Sequence, residues 1–471
     1  MLNPSQYSSA PVAQLLHEVA LGRIGFDQRV YDAILSRPAE AGPALLAHGL
    51  NPPADSRLEL DEDVLHLLTA LPEVDPLEYI LKLLREGYTE FPESLPVLLR
   101  RAGARAVEPL LEIYRSLEEE ESSEIAFLLA GLELHDPRIA QMITERLEFD
   151  MEDGAILAGL YGDPALVPVL SKYLSEVGQN RELEFAIETL KHRPAAPETL
   201  PFQPREEYPE FALPVFDVMT DEEILAAATG HEEIEVRLEA LDILEDVDLP
   251  ANFAAPLLAM AADSPELPLR AGAWRALHRL SQVTEVREAA IAALADEDLP
   301  AQVRVGALIT LLPDVPLPRL KAYITEFLAD PDAKADAVSA MWRSREPFYA
   351  SAFGAYLDDE DVEVVRQAVR GAGVMGDKTA LAKLRALLRD SELRDDALFA
   401  YAMATPSDIS PSRMRSLLKK IDEEAGGLSQ SETTNVQLAL DMRLEAAGKE
   451  PIFFTEDEAD GENPASSGHI H

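Results

Sequence analysis

One phrase limits the fold more than any other feature: an acidic opening, then a basic residue on an Ala-rich helical run. It starts HEEIEVRLEALDIL at His231, DSPELPLRAGAWRALHRL at Asp263 and DEDLPAQVRVGALITLL at Asp296. It returns as DPDAKADAVSAMW at Asp330, DDEDVEVVRQAVR at Asp358 and DSELRDDALFAYA at Asp390. From Asp263 the starts lie 33, 34, 28 and 32 residues apart. Each opening is followed by a base: Arg237, Arg270, Arg304, Lys334, Arg366 and Arg394. A period of about 30 residues with helical content describes a chain of helix pairs, each burying its apolar face by stacking on the next.

Within the fifth copy, GAGVMGD (Gly371 to Asp377) spells G-x-G-x-x-G, the spacing of a dinucleotide-binding loop. That loop requires a buried strand before it. Here Val362, Val365, Val369 and Ala372 fall at i, i+3, i+7 and i+10, one face of a helix. Asp390 stands about where a ribose ligand would, a coincidence of little weight in so acidic a chain. The glycines are therefore read as packing and turn residues, and no cofactor is expected.

A second signature punctuates the chain. Asp377 follows Gly376, Asp163 follows Gly162 and precedes Pro164, and Asp136 precedes Pro137. Asp at an N-cap with Pro at the first helical position satisfies free amides and presets the backbone for a new helix. AGLYGDPALVPVLSKYL (from Ala158) and AGVMGDKTALAKLRALL (from Ala372) read as two copies of one turn and the helix after it. The Asp-rich opening, V-R-x-x-A and the G-D-P-type turn together resemble the HEAT-like repeats first named from phycobilin lyase subunits. The resemblance covers roughly Asp221 to Ala404 and is weaker over Glu90 to Arg193. It implies an all-α, right-handed α-solenoid of HEAT-like helix pairs, a fold used mostly for binding scaffolds.

Composition narrows the function. The 471 residues exceed one ordinary core. Against 86 acids stand 41 bases, a formal net charge of −45. Such a chain is repelled by phosphate backbones and anionic bilayers, so neither nucleic acid nor membrane is expected as a partner. The absence of Cys removes disulfides, thiolate nucleophiles and zinc-thiolate sites. The opening MLNPSQYSSAP has no basic or apolar leader region, and no apolar run approaches the roughly 18 residues that span a bilayer. A cytoplasmic location is expected.

Along the chain the sequence predicts an N-terminal helical cap over 1–58 and irregular HEAT-like pairs over 59–193. A Pro-rich linker or hinge is predicted over 194–217, where Pro194, Pro197, Pro201, Pro204, Pro209 and Pro214 exclude a helix. The regular array follows over 218–405, then C-terminal capping helices over 406–451 and a disordered acidic tail over 452–471.

Catalytic and metal signatures are lacking. His17-Glu18 begins like HExxH, but Leu21 stands where the second His is required, and His469 and His471 read as an incidental chain end. Arg237, Arg270, Arg304 and Arg366, with Asp136, Asp163 and Asp377, are read as structural repeat residues, the arginines pairing with turn carboxylates. Between residues 378 and 420 nine bases face five acids. Lys378, Lys383, Arg385, Arg389, Arg413, Arg415, Lys419 and Lys420 form a candidate basic island for an anionic segment, either a partner's or the tail at Glu456 to Glu462. The expected function is a non-catalytic scaffold that binds a basic protein partner on side chains from successive second helices, those after the G-D turns. A tetrapyrrole lyase or chaperone role is the alternative that the resemblance suggests. A HEAT-type DNA glycosylase is disfavoured by the net charge.

Overall fold

A computed structural model describes residues 1–88, 91–192, 203–389 and 392–454, the side chains of 119–121 excepted. All regular secondary structure among these residues is helical, and no helix is long and apolar enough to cross a membrane. The chain divides into two compact units, Met1–Met219 and Thr220–His471.

The first unit contains α1 (Val12–Ala20), α2 (Gln28–Leu35), α3 (Pro38–Leu50), α4 (Asp61–Thr69), α5 (Leu77–Arg85) and α6 (Ser94–Ala102). It continues through α7 (Ala104–Ser116), α8 (Glu119–Ala130), α9 (Pro137–Phe149), α10 (Met151–Tyr161), α11 (Val167–Val177) and α12 (Arg181–Lys191). Each even-numbered helix from α4 packs on the helix before it, and α3, α5 and α7 contact in succession, as do α8, α10 and α12. Fully buried Leu65, Leu68, Tyr79, Leu98, Leu110, Ile143 and Leu157 run through its core. Asp136 and Asp163 cap new helical turns, accepting from the Arg138 and Ala165 amides at 2.9 Å with Pro at the first position of each.

Of the segment read as a Pro-rich linker or hinge over 194–217, residues from 203 onward pack with this unit, which extends to Met219. Residues 193–202, with Pro194, Pro197 and Pro201, lie outside the described residues. The rest is a strap. The Gln28 amide donates to Pro209 O at 2.9 Å, Val215 N donates to Gly22 O at 2.8 Å, and Arg205 holds Asp32 with two bonds of 2.9 Å. Prolines exclude a helix there, yet Tyr208 still has apolar surface to bury. Its ring packs on Phe26 and Tyr31 at 4.5 and 5.6 Å between centroids, and its hydroxyl donates to Asp63 at 2.9 Å beside His66 Nδ1 at 3.2 Å.

The second unit contains α13 (Asp221–Gly230), α14 (Ile234–Asp246), α15 (Ala254–Asp263), α16 (Leu267–Ala276), α17 (Thr284–Ala295), α18 (Ala301–Thr310) and α19 (Leu317–Phe327). Beyond them lie α20 (Lys334–Arg343), α21 (Val362–Met375), α22 (Leu381–Leu387), α23 (Arg394–Ala404), α24 (Pro411–Ala425) and α25 (Gln430–Ala446). The repeated phrase forms α14, α16, α18, α20, α21 and α23, which contact in that order, with α25 following on α23. Each of these also packs on a helix outside the series that directly precedes it, except α21, which follows α20 itself. Ahead of α21, two 3-10 turns, Pro347–Tyr349 and Phe353–Ala355, replace that helix. The sequence reading paired the phrase helix with the helix after the G-D turn; the order of packing is the reverse.

GAGVMGD lies at the end of α21, preceded by helix rather than strand. A Cβ at Gly371 would fall 2.3 Å from Phe353, and one at Gly373 2.7 Å from Ala400 Cα, so both glycines permit close packing. Gly376, at φ +63°, takes the left-handed conformation that ends the helix.

At the other end of the unit, Asp441 accepts the amides of Ile452, Phe453 and Phe454 at 2.9, 2.9 and 3.0 Å. Residues 452–454 are thus fixed against α25, which corrects the start of the tail. The remainder, with Glu456 to Glu462, His469 and His471, lies outside the described residues.

Burial under the strap pushes the Asp63 carboxyl up from 3.8 to about 6, against the Tyr208 hydrogen bond that favours its charged form. The stability this proton contributes is fully present below about pH 4 and lost as pH rises through about 6. Asp63→Asn keeps an acceptor for Tyr208 and removes the titration. At pH 7.5 the variant is expected to be more stable than the parent by roughly 2–3 kcal/mol, with the difference closing below pH 4, as measured by urea melts across pH.

Candidate functional site

The repeat bases come first because they shape the surface between the helices. Arg237 and Arg270 do not pair with turn carboxylates, as the sequence suggested. Each donates Nε at 3.0 Å to a carbonyl nine residues back, Ala228 O and Ala261 O, in the last turn of the preceding helix. Arg304 donates in the same way to a carbonyl ten residues back, Leu294 O at 3.3 Å, and also reaches Glu326. Those carbonyls have no partner within their own helix, so a guanidinium is well placed to cap them. Arg366 has no complete helix in front of it and turns to Asp396 at 2.8 Å and Glu363 at 3.2 Å. Lys334 pairs with Asp359, and Arg394 reaches Leu388 O and Glu432.

A groove of about 950 Å³ runs across α14, α16, α18, α20 and α21. These are the helices that carry the repeated phrase, not the helices after the G-D turns that were expected to present the binding side chains. The phrase helices lie close enough for charges on neighbouring turns to meet.

Arg275 of α16 is the centre of that meeting. Its guanidinium reaches Asp242 at 2.9 Å and Glu245 at 3.1 Å on α14, and Asp336 at 3.3 Å on α20. Burial works against the arginine's charge, but Asp336, Asp242 and Glu245 more than offset it and hold its pKa well above the ordinary value. Burial pushes the Asp336 carboxyl up, with Arg275 opposing and Glu245 and Asp242 adding to the rise. Arg343 pairs with the other oxygen of Glu245, takes Ser339 Oγ at 2.9 Å and lies over the Trp342 indole at 4.5 Å. Arg370 joins Arg366 on Asp396, at 3.1 Å.

The lining therefore holds eight carboxylates and four guanidiniums. All four guanidiniums are engaged by the protein's own acids. Glu239, Asp332 and Asp361 line the groove with no cationic partner among the described residues, Asp361 being occupied by the Glu363 amide. The field in the groove is negative, and its free groups are acceptors.

The candidate basic island lies elsewhere in this unit, on α22, α24 and the turns before and after α22, and is only partly free. Lys383 is turned inward to Gly354 O at 2.7 Å and to Asp358, which removes it from the island. Asp377 holds the Gly354 amide at 3.4 Å and caps Thr379 N at 2.9 Å, so Asp377 and Lys383 hold Gly354 by its N–H and its carbonyl. Arg385 and Lys420 both approach Glu424, at 3.4 and 3.9 Å. Lys378, Arg389, Arg413, Arg415 and Lys419 are exposed and have no ion pair among the described residues.

Sequence reading missed Arg275, Arg343 and Arg370. Their common signal is a second Arg on an Ala-rich helix, one to three turns beyond the repeat base. Glu239 and Asp332 carry no signal in a chain where acids are so frequent. Replacing Arg275 by Met leaves Asp242 and Asp336 without their ion-pair partner and Glu245 with Arg343 alone. The expected loss is about 3–5 kcal/mol at neutral pH, shrinking as acid neutralises the carboxylates, measured by chemical denaturation at pH 7.5 and 5.

The chain matches no model of a known protein family and no curated protein.

Proposed function

We propose that the second unit is a segment of right-handed, HEAT-like α-solenoid acting as a non-catalytic scaffold, and that its groove holds a basic segment of a partner protein. The observation that carries this reading is the charge inventory. Eight carboxylates line the groove, and the four guanidiniums among them are already neutralised from within. A ligand bearing Lys or Arg finds free acceptors at Glu239 and Asp332, and a negative field draws it in. A phosphate-bearing ligand would be repelled by the same groups. The groove crosses five helices, which suits an extended segment better than a compact small molecule. The repeat that resembles HEAT-like proteins supports the same reading, since such stacks use side chains from successive helices to hold a partner.

The test is binding of a short Lys/Arg-containing peptide to the full chain, followed by fluorescence anisotropy at low and high salt. Binding is expected to weaken steeply with salt. The double variant Glu239→Gln, Asp332→Asn is expected to weaken it about three- to tenfold, mostly through slower association. Equal affinity of parent and variant, or binding indifferent to salt, would sink the reading.

A further inference from the structure

We infer that the outer face of α8, α10 and α12 in the first unit is a docking surface for a basic amphipathic helix of a partner protein. The inference does not rest on the acidic groove.

The three helices present neighbouring faces. Ser123, early in α8, donates to Asp153, early in α10, at 3.3 Å. At the other end, Leu160 Cδ2 of α10 comes to 4.0 Å from the Cβ position of Gly131, which closes α8. The two helices therefore run in the same direction. Gly159 of α10 meets Ala186 of α12.

Across these faces lie side chains that a helix ordinarily buries. Phe127 on α8 is 36% exposed, Ile156 and Leu160 on α10 are 51% and 46% exposed, and Phe185 on α12 is 73% exposed. Single exposed apolar residues need no explanation, but a cluster on successive helices marks a contact surface.

Gly159 supplies an independent sign. Glycine inside a helix costs stability and is retained where something requires it. At Gly154 of the same helix the requirement is plain, because a Cβ there would fall 2.7 Å from Leu147 N. At Gly159 a Cβ would only touch Ala186, at 3.9 Å, an ordinary contact. Nothing inside the unit demands the glycine. It leaves a flat spot on the turns of Ile156 and Leu160 and against α12, where a partner's backbone or a large side chain can come close.

Charge selects the occupant. Glu124, Glu152, Glu182 and Glu184 stand on the same three helices, and none is in an ion pair among the described residues. Arg146, the nearest base on α9, is turned inward to Asp153 at 2.8 Å. The exposed bases of α12, Arg181 and Lys191, stand at its two ends. A helix with apolar residues on one face and Lys or Arg flanking them satisfies both features. A second copy of this chain would bring its own glutamates against these.

The experiment uses the full chain and a labelled peptide of about 18 residues, about five helical turns, with Leu on one face and Lys on the other. Two comparison peptides are needed: a scramble of the same composition without the apolar face, and a version with Glu in place of Lys. The amphipathic basic peptide is expected to bind at least tenfold more tightly than either. Every comparison is made on the Glu239→Gln, Asp332→Asn chain, so that binding in the groove of the second unit does not mask the result, and adding Phe185→Ala with Ile156→Ala to it is expected to weaken the amphipathic peptide about tenfold. Gly159→Ala is expected to raise the melting temperature and yet weaken binding, a pair of effects that a purely structural glycine would not give. The inference fails if the scramble or the Glu peptide binds as well, or if the Phe185 and Ile156 variant binds like the parent. It also fails if sedimentation shows a dimer that Phe185→Ala dissolves.

Discussion

The close approach of the phrase helices is the constraint on which the second unit depends. A Cβ at Gly306 would stand 2.9 Å from Ala271 O and Trp274 Cβ, and one at Gly272 3.1 Å from Leu241. Ala271, Ala273, Ala307, Ala337, Ala340, Ala368 and Ala372 fill the same seams and are fully buried. Small residues at these positions allow backbones to come together, and the larger side chains above them are then forced into one another's reach. Thr310 Oγ1 shows how close: it donates to Trp274 O on the neighbouring helix. A groove lined with converging charges is a consequence of that spacing rather than a separate construction.

The convergence has to be managed in a chain of net charge −45, where self-repulsion favours expansion. Two devices manage it. The repeat arginines satisfy helix-end carbonyls and so reinforce each pair from within, at Arg237, Arg270 and Arg304. Arg275 works between pairs. It joins α14 to α20 across the intervening α18, and one guanidinium thereby ties helices separated by two repeats. Removing carboxylates from water costs energy that counter-charges must offset, and Arg275 and Arg343 place a guanidinium at each oxygen of Glu245.

Much of this architecture was legible because it rests on short-range rules. The period of the acidic openings marked the phrase helices, and Asp136–Pro137 and Asp163–Pro164 marked where helical turns begin. Val362 to Ala372 showed that G-x-G-x-x-G sat on a helix. Other features were not legible, for physical reasons. A guanidinium that binds a backbone carbonyl leaves no trace in the partner's side chain, so Arg237 and Arg270 looked like ion-pair residues. Lys383 looked like a free cation in part for the same reason, since it binds Gly354 O as well as Asp358. The strap at 203–219 was concealed by its prolines, which exclude a helix but not burial; Tyr208 is only 8% exposed. Which helix of each pair faces the groove depends on packing between repeats, which a period alone does not encode.

The two surfaces considered as binding sites differ in what they ask of a ligand. In the groove Ala and Gly fill the seams, and eight carboxylates and four guanidiniums dominate a lining that also includes Leu238, Leu267 and Trp342. Such a site discriminates by sign and by spacing along the helices, and its strength falls with salt. On α8, α10 and α12 the order is reversed: large apolar side chains stand outermost and the glutamates flank them. That face offers desolvation of Phe185, Ile156 and Leu160, which salt does not screen, and uses charge to choose among apolar partners. On the two readings proposed above, one negative protein would offer basic segments two chemically different surfaces. An extended Lys/Arg strand fits the first and would leave the apolar side chains of the second wet. A helix with an apolar face fits the second and would bury that face against carboxylates in the first, which is the physical basis for expecting the two sites to select different segments.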